Sequence, residues 1–398
     1  MPETAPRGER LNIGLFGRRN VGKSSLLNAL CDQNVSIVSD TAGTTTDAVS
    51  KIYELIPVGP VTFFDTAGID DTGRIGALRI AATQRIVNKV DIALLVTDEK
   101  GVGEDEMKLI VMFRNLKIPF ILVFNKSDLV SRSSAPALSC PSVSVCASNG
   151  ENIETLKRLI KETVPEHLKN TPPLVRDLIQ AGQTVVCVAP IDASAPKGRL
   201  ILPQVQVIRD ILDAGAYAYV IQNDRDFLKI LPDLKTPPAL VITDSQLIRQ
   251  VSAAVPPEIA LTTFSTLFAR YKGDLKLLYE GAKRLRSLDE NDGVLIAEAC
   301  SHHVQDDDIA RVKMPALIKK ALNRDIRFEW SAGCDFPPDI NRFKVVIHCG
   351  GCMLSRLETL RRLNECARNG VPVTNFGMAL SEMQGVLDRV IRPFGVIE

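Results

Sequence analysis

Residues Gly17-Arg18-Arg19-Asn20-Val21-Gly22-Lys23-Ser24 stand between an apolar run, Asn12 to Phe16, and a helical run, Ser25 to Cys31. A strand, a glycine-bounded turn and a helix that opens on Lys-Ser make a P-loop. Its glycines let successive backbone N–H groups turn inward onto phosphate oxygens, and the helix N-terminus adds a field that favours anions. In such a loop Lys23 is placed to bridge the β- and γ-phosphates and Ser24 to ligate Mg2+, with Ser25 following in the nucleotide set. The motif predicts a parallel sheet covered by helices, with the loop at the end of its first strand.

Working outward, short β-rich runs alternate with amphipathic helical segments through nearly the whole chain, which predicts an α/β protein with mainly parallel sheets. At 398 residues the length favours several domains, and we expect three: 1–170, 171–270 and 271–398. Strands are expected at Asn12–Phe16, Val61–Phe64, Ile92–Val96, Phe120–Phe124 and Val143–Cys146, followed by a helix at Ile153–Thr163. The segment Pro165 to Pro173 reads as a linker, because its prolines remove backbone donors. A second unit has strands at Thr184–Val188, Ala216–Ile221 and Ala239–Ile242, with helices Gln204–Ala214 and Ser245–Ala254. The third has strands at Val294–Ala297, Val345–His348 and Val371–Asn375, and no internal repeat period is visible.

Lys+Arg 48 against Asp+Glu 47 leaves a net charge of +1, with no dense basic run of the kind that tracks a phosphate backbone, so nucleic acid is not an expected partner. The first ten residues are polar and the apolar runs are too short to span a bilayer, so no membrane association and a cytoplasmic location are expected. Nine cysteines in such a chain are then reduced, as buried thiols or as metal ligands.

Two further motifs complete the nucleotide site. Asp65-Thr66-Ala67-Gly68 follows a strand, so that Asp65 can hold the metal's water shell and the Gly68 N–H can reach a γ-phosphate. Asn125-Lys126-Ser127-Asp128 follows another: the Asp128 carboxylate accepts both donors of a guanine edge, while Asn125 and Lys126 frame the ring. Adenine lacks that donor pair, so the base is guanine and the ligands are GTP and GDP. Cys146-Ala147-Ser148 offers the Ala147 N–H to the guanine oxygen.

With Gly43-Thr44-Thr45-Thr46-Asp47 in a first switch and Asp65 to Ile69 in a second, residues 10 to 170 resemble the TrmE-Era-like GTPases. The resemblance implies that Thr45 closes over Mg2+ and that Lys23, Thr45 and Gly68 serve hydrolysis. Thr46 replaces the usual arginine, and Ile69 stands where Ras-like proteins carry a water-orienting glutamine, so intrinsic hydrolysis is expected to be slow. In potassium-activated members the P-loop asparagine, Asn20 here, helps bind a K+.

A second constellation lies far downstream: Cys300-Ser301-His302, then His348-Cys349-Gly350-Gly351-Cys352. A Cys-x-x-Cys pair alone is weak, since about 0.2 are expected by chance at this cysteine content. Three of the chain's four histidines, however, sit beside these cysteines. In a reduced compartment such a group favours an iron-sulfur cluster or zinc. On a strand, His348 and Cys349 point to opposite faces, which leaves Cys300, Cys349 and Cys352 as ligands and His302 as candidate for a fourth, weakly held position, with His303 its competitor. Cys352 is expected to begin a helix, Met353 to Ala367, with a buried stripe of Leu354, Leu357, Leu360 and Leu363. An incomplete ligand set argues for a 4Fe-4S cluster over structural zinc. Cys31, Cys187 and Cys366 read as core residues and Cys146 as packing in the nucleotide pocket, whereas Cys334 is left as a residue that could line the metal site.

GTPase motifs, a middle α/β unit and this Cys-x-His and His-Cys-x-x-Cys pattern together resemble the maturation GTPases of FeFe-hydrogenases over the full chain. That resemblance implies a homodimer formed by the middle domain and a 4Fe-4S domain at the C-terminus. It also implies a scaffold that receives a di-iron precursor, works with radical-SAM maturases and delivers to apo FeFe-hydrogenase. Two alternatives share some of these features: an RNA-modification or ribosome-assembly GTPase, for which a basic RNA-binding module is missing, and a GTP-gated iron-sulfur redox protein, which full four-ligand coordination would favour.

Overall fold

The strand Ile92–Thr97, Ile-Ala-Leu-Leu-Val-Thr, is buried at all six positions, as a near-continuous apolar run must be when helices cover both faces of a sheet. The computed structural model describes residues 7–31, 49–56, 58–66, 86–98, 100–129, 139–164, 172–191, 200–299, 308–333, 336–337, 339–351 and 354–396. Among them the chain forms two compact units, Met1–Asn170 and Thr171–Glu398.

In the first unit the strands are β1 (Leu11–Phe16), β2 (Val49–Leu55), β3 (Gly59–Asp65), β4 (Ile92–Thr97), β5 (Phe120–Phe124) and β6 (Ser142–Ser144). They lie in the order β2-β3-β1-β4-β5-β6. Only β2 runs antiparallel, paired with β3. Helices Lys23–Leu30 and Ile153–Thr163 bury Leu26, Leu27, Leu30, Leu156 and Ile160 against one face. Helix Glu104–Asn115 buries Leu109, Ile110 and Phe113 on the other. Each such fully buried side chain contributes about 1.5–3 kcal/mol.

The second unit holds two four-stranded sheets. The strands of one are β7 (Thr184–Val188), β8 (Tyr217–Ile221), β9 (Leu240–Thr243) and β10 (Ala260–Thr263), and those of the other β11 (Gly293–Glu298), β12 (Arg327–Ala332), β13 (Val345–His348) and β14 (Val373–Asn375). Their orders are β10-β9-β7-β8 and β12-β11-β13-β14, every pairing being parallel. Counted from its own first strand, the last sheet has the order second-first-third-fourth, and the middle sheet, read from its β8 edge, has the same order. The two domains thus share one winding. The expected α/β class with mainly parallel sheets is what the chain adopts; β2, β10 and β12 are strands beyond those expected.

The two sheets share a continuous interior. Helix Phe264–Lys272 supplies Phe264, Leu267 and Phe268 to the core beneath β7 and β9, and Ala269 to the core beneath β11 and β13. Residue 270, where a boundary was expected, lies inside this helix. In return Val390, from helix Leu387–Ile391, joins Phe227, Ile248 and Val251 on the far side of the middle sheet. Its neighbour Arg389 donates from Nη2 to the carbonyls of Val255 at 2.8 Å and Pro256 at 2.7 Å, closing the end of helix Ile248–Ala254. Helix starts carry polar caps: Thr263, Asp274, Ser355 and Asn375 each accept a backbone N–H three residues on, worth about 1 kcal/mol apiece. At the middle sheet's carboxyl edge, helix Phe376–Met383 lays Gly377 against Ser265 and Ser245 so closely that a Cβ would overlap the Ser265 side chain.

Candidate functional site

All the expected nucleotide residues that are described lie along the carboxyl edge of the six-stranded sheet. The chain leaves β1 at Phe16 and re-enters helix at Lys23. Gly22 makes that entry in left-handed backbone, φ 91, and a Cβ on it would collide with Asn125 Nδ2. Both demands exclude any other residue. Asn125, just past β5, donates from Nδ2 to Val21 O at 3.0 Å and accepts the Ala147 N–H on Oδ1 at 3.1 Å. One buried amide therefore fastens three loops together. The Ala147 N–H, expected to face the guanine oxygen, is engaged by Asn125 in this structure.

Lys23 Nζ folds back onto the carbonyls of Gly17 at 2.9 Å and Arg18 at 2.8 Å. Ser24 Oγ donates to Asp65 Oδ2 at 2.8 Å, so the hydroxyl at the start of the helix after β1 and the carboxylate at the end of β3 converge. Ser24 and Ser25 are exposed. Lys126 Nζ reaches Asn20 O at 2.9 Å, and Asn20 is itself left-handed at φ 63. Asp128 is exposed, and the buried Cys146 thiol donates to its Oδ1 at 3.2 Å.

Sequence reading missed Arg18. Its Nη2 reaches Gly101 O at 2.9 Å and Asp98 Oδ1 at 3.3 Å, and its Nε lies 2.7 Å from Oε1 of the fully buried Glu106. The last is a charge contact rather than an aligned hydrogen bond, and Glu106 directs its Oε2 at the Gly103 N–H. The P-loop is thereby tied to the loop after β4. Thr45, Gly68 and Ile69 lie outside the described residues.

In the third sheet Cys349 follows β13 directly, and β13 pairs with β11, whose chain runs on through Ala299 to Cys300. Between these strands the winding reverses, the position where parallel sheets open a crevice at their carboxyl ends. Cys349 N donates to Ala297 O at 2.9 Å, and Ala299 N donates to Cys349 Sγ at 3.2 Å. An N–H directed at sulfur favours the thiolate, the form that ligates metal. Cys349 is partly exposed, whereas Cys31, Cys187 and Cys366 are buried. Burial pushes Cys187 and Cys366 up to about 12, so both stay thiols at neutral pH. Cys300, His302, His303, Cys334 and Cys352 lie outside the described residues, and among those described no group of three or more His, Cys, Asp or Glu side chains is arranged to hold an ion.

His348 is turned into the protein. Its Nδ1 meets Cys349 O at 2.6 Å and its Nε2 accepts Arg362 Nε at 2.7 Å. Burial, reinforced by the Arg362 charge, lowers its pKa to about 3. It is a neutral ring that donates to a carbonyl and accepts from a guanidinium, with no nitrogen left for a metal. Arg362 also donates to Gly333 O at 2.9 Å and lies over the Phe336 ring.

The helix expected from Met353 begins instead at Arg356, capped by Ser355. The buried face of this helix carries Glu358, Thr359, Arg362, Leu363 and Cys366, while Leu357 and Leu360 are only half-buried. The expected leucine stripe is thus rotated, because Arg362 is drawn inward by His348 and Gly333.

Fold and site together define a P-loop GTPase domain followed in the chain by a pair of wound parallel α/β domains. Three family models match in chain order: "50S ribosome-binding GTPase" over residues 12–126, "Hydrogen maturase F dimerization domain" over 174–273 and "Hydrogen maturase F tetramerization domain" over 276–393. The chain belongs to the hydrogen maturase F family.

Among curated relatives it is similar to GTPase Der of a Nitratiruptor species, 41% identical over 134 residues, which are 32% of this chain and 28% of that protein. It is also similar to the tRNA modification GTPase MnmE of Acaryochloris marina, 38% identical over 170 residues, 40% of this chain and 36% of that protein. The chain spans about a third of the length of these relatives. Among solved structures it is similar to the G domain of the T. maritima FeoB iron transporter, with 23% identity, a TM-score of 0.32, and coverage of 39% of this chain and 99% of that one. Aquifex aeolicus Era bound to GDP.AlF4- gives 21% identity, a TM-score of 0.34, and coverage of 61% and 99%.

Proposed function

We propose that the chain hydrolyses GTP with Mg2+ in its first domain and carries a 4Fe-4S cluster in its third, serving as scaffold and carrier of a di-iron precursor for apo FeFe-hydrogenase. In the nucleotide site Lys23 swings from the Gly17 and Arg18 carbonyls onto the β- and γ-phosphates. The Ser24 hydroxyl turns from Asp65 to Mg2+, together with Thr45, while Asp65 holds the metal's water. Asp128, held by the Cys146 thiol, reads the guanine edge beside Asn125, Lys126 and Ala147. The Gly68 N–H meets the γ-phosphate, and Asn20 holds a K+ beside the phosphates. Without a glutamine at Ile69, turnover is slow.

Cys349, the one proposed ligand among the described residues, suits a cluster. Cys349 lies at the reversal of the winding, its sulfur accepts a backbone N–H, and the neighbouring strand leads straight to Cys300. With Cys352 these make three thiolate ligands, and His302 is the candidate for the fourth position. A cluster bound there supplies an iron to which the precursor attaches. Radical-SAM maturases supply that precursor, a second copy of the chain pairs through the middle domain, and the setting is cytoplasmic. No helix among the described residues is long and apolar enough to cross a membrane. The RNA-linked reading has only its GTPase domain in support, since maturase models match both other domains.

The observation that carries the reading is the Ala299 N–H directed at Cys349 Sγ at the end of β13. Anaerobic reconstitution with iron and sulfide, followed by iron analysis and EPR of the reduced protein, tests it. We expect a 4Fe-4S signal that Cys349→Ser and Cys352→Ser abolish. No iron uptake, or an unchanged signal in both variants, sinks it.

A further inference from the structure

We infer that Lys272, a residue of the middle domain's last helix, is a positioning residue for the cluster carried by the third domain; this rests on the cluster reading above. Lys272 is 4% exposed, although its side chain is charged and long. Its Nζ donates to Gly351 O at 3.0 Å and Leu354 O at 2.8 Å, 79 and 82 residues away in sequence. Those two carbonyls bracket Cys352. The ammonium thus ties the described residues on either side of positions 352 and 353 to the middle domain.

The neighbouring backbone adds to the clasp. Arg356, the first residue of the following helix, donates to the carbonyls of Arg270 and Tyr271. The Lys272 ammonium also lies over the Phe268 ring, 5.9 Å from its centroid, in the same helix. The residue before Cys349, His348, is held within its own domain by Arg362. Two buried cations from two domains therefore hold the chain around Cys349, and of these Lys272 is the one that links it to the middle sheet.

Two consequences follow from charge and burial. A 4Fe-4S cluster with three thiolate ligands has a net negative charge, and a buried ammonium near it stabilises the more negative, reduced form and so raises the reduction potential. Buried carbonyls also need their donors, so removing Lys272 leaves both without it and loosens the loop that presents Cys349 and Cys352.

The test uses the full chain, reconstituted anaerobically as wild type, Lys272→Met and Lys272→Arg. Iron release to an excess of chelator and an EPR-monitored redox titration are the readouts. The melting curve of the apo-protein and GTP turnover of the first domain report whether the variants are folded. Lys272→Met should release iron about 10-fold faster or more, in the range that outer-shell partners of metal ligands command, and its midpoint should move to more negative potential. Lys272→Arg, which keeps the charge and the donors, should restore both. Identical release and identical midpoint in Lys272→Met overturn the inference while leaving the cluster reading intact. A wild-type chain that takes up no iron overturns the cluster reading, and this inference with it.

Discussion

At the scale of single residues, the two sites differ in how they are written. The P-loop, Asp65 and the Asn125 to Asp128 motif are contiguous words, each fixed by the backbone turn that follows a strand, so they are legible without a structure. Lys272, Arg362 and Arg18 are not. The two carbonyls that hold the Lys272 ammonium lie 79 and 82 residues away in sequence, so its burial is not marked by its neighbours. Arg362 sits among other arginines, off the leucine stripe expected to be buried, and only the structure shows it 3% exposed against His348. Asn20 lies between these extremes, a motif residue with a proposed role. Its left-handed backbone, held by Lys126 through its carbonyl, leaves the side chain exposed at the P-loop. If it holds K+, GTP turnover in KCl should exceed that in NaCl by about 10-fold or more, below the roughly 10^3-fold or more that an arginine finger supplies. Equal rates in the two salts would remove that role.

Elements show the same division. Strands buried on both faces, such as β4 and β13, were evident from unbroken apolar runs. The strands that escaped were edge or half-exposed ones. In β12, Arg-Phe-Glu-Trp-Ser-Ala, polar residues alternate along an edge, and in β2 Lys51 and Glu54 interrupt the pattern. β8 is the edge strand of the middle sheet and is open in a different way. Tyr217, Tyr219 and Val220 are 62%, 46% and 45% exposed, and Val205 and Leu212 of the preceding helix and Leu228 of the following one are exposed as well. An unpaired edge beside exposed aromatic and aliphatic side chains invites a strand from another copy of the chain. We predict that Tyr219→Lys with Val220→Lys, charges of the kind that block edge pairing, lowers the mass of the oligomer in light scattering. An unchanged mass would place the dimer contact elsewhere.

For the whole molecule, the α/β class with mainly parallel sheets could be read from alternating patterns, but the union of the two sheets within Thr171–Glu398 could not. Their contacts are made by residues that look ordinary in sequence: Gly377, Arg389, Val390 and Lys272. Gly377 allows a quantitative check. Alanine in a helix is ordinarily favoured over glycine by about 1 kcal/mol. Here the added methyl meets Ser265 and Ser245, and overpacking of a close contact costs about 1–3 kcal/mol. Gly377→Ala should therefore lower the urea midpoint of the 171–398 unit, and a raised midpoint would show that the contact relaxes freely.

The return of Val390 and Arg389 to the middle sheet also bears on how the chain is made. Domains generally fold in the order in which they leave the ribosome. The middle sheet follows that rule only in part, because Val390, which joins Phe227, Ile248 and Val251 on its far face, and the guanidinium that closes its helix Ile248–Ala254 arrive more than 130 positions later. Until then Val186, Val188, Val241 and Leu261 have an incomplete cover. The domain proposed to join two copies thus completes its packing only when the last residues of the third domain have been synthesised, so that assembly of copies waits on a nearly finished chain.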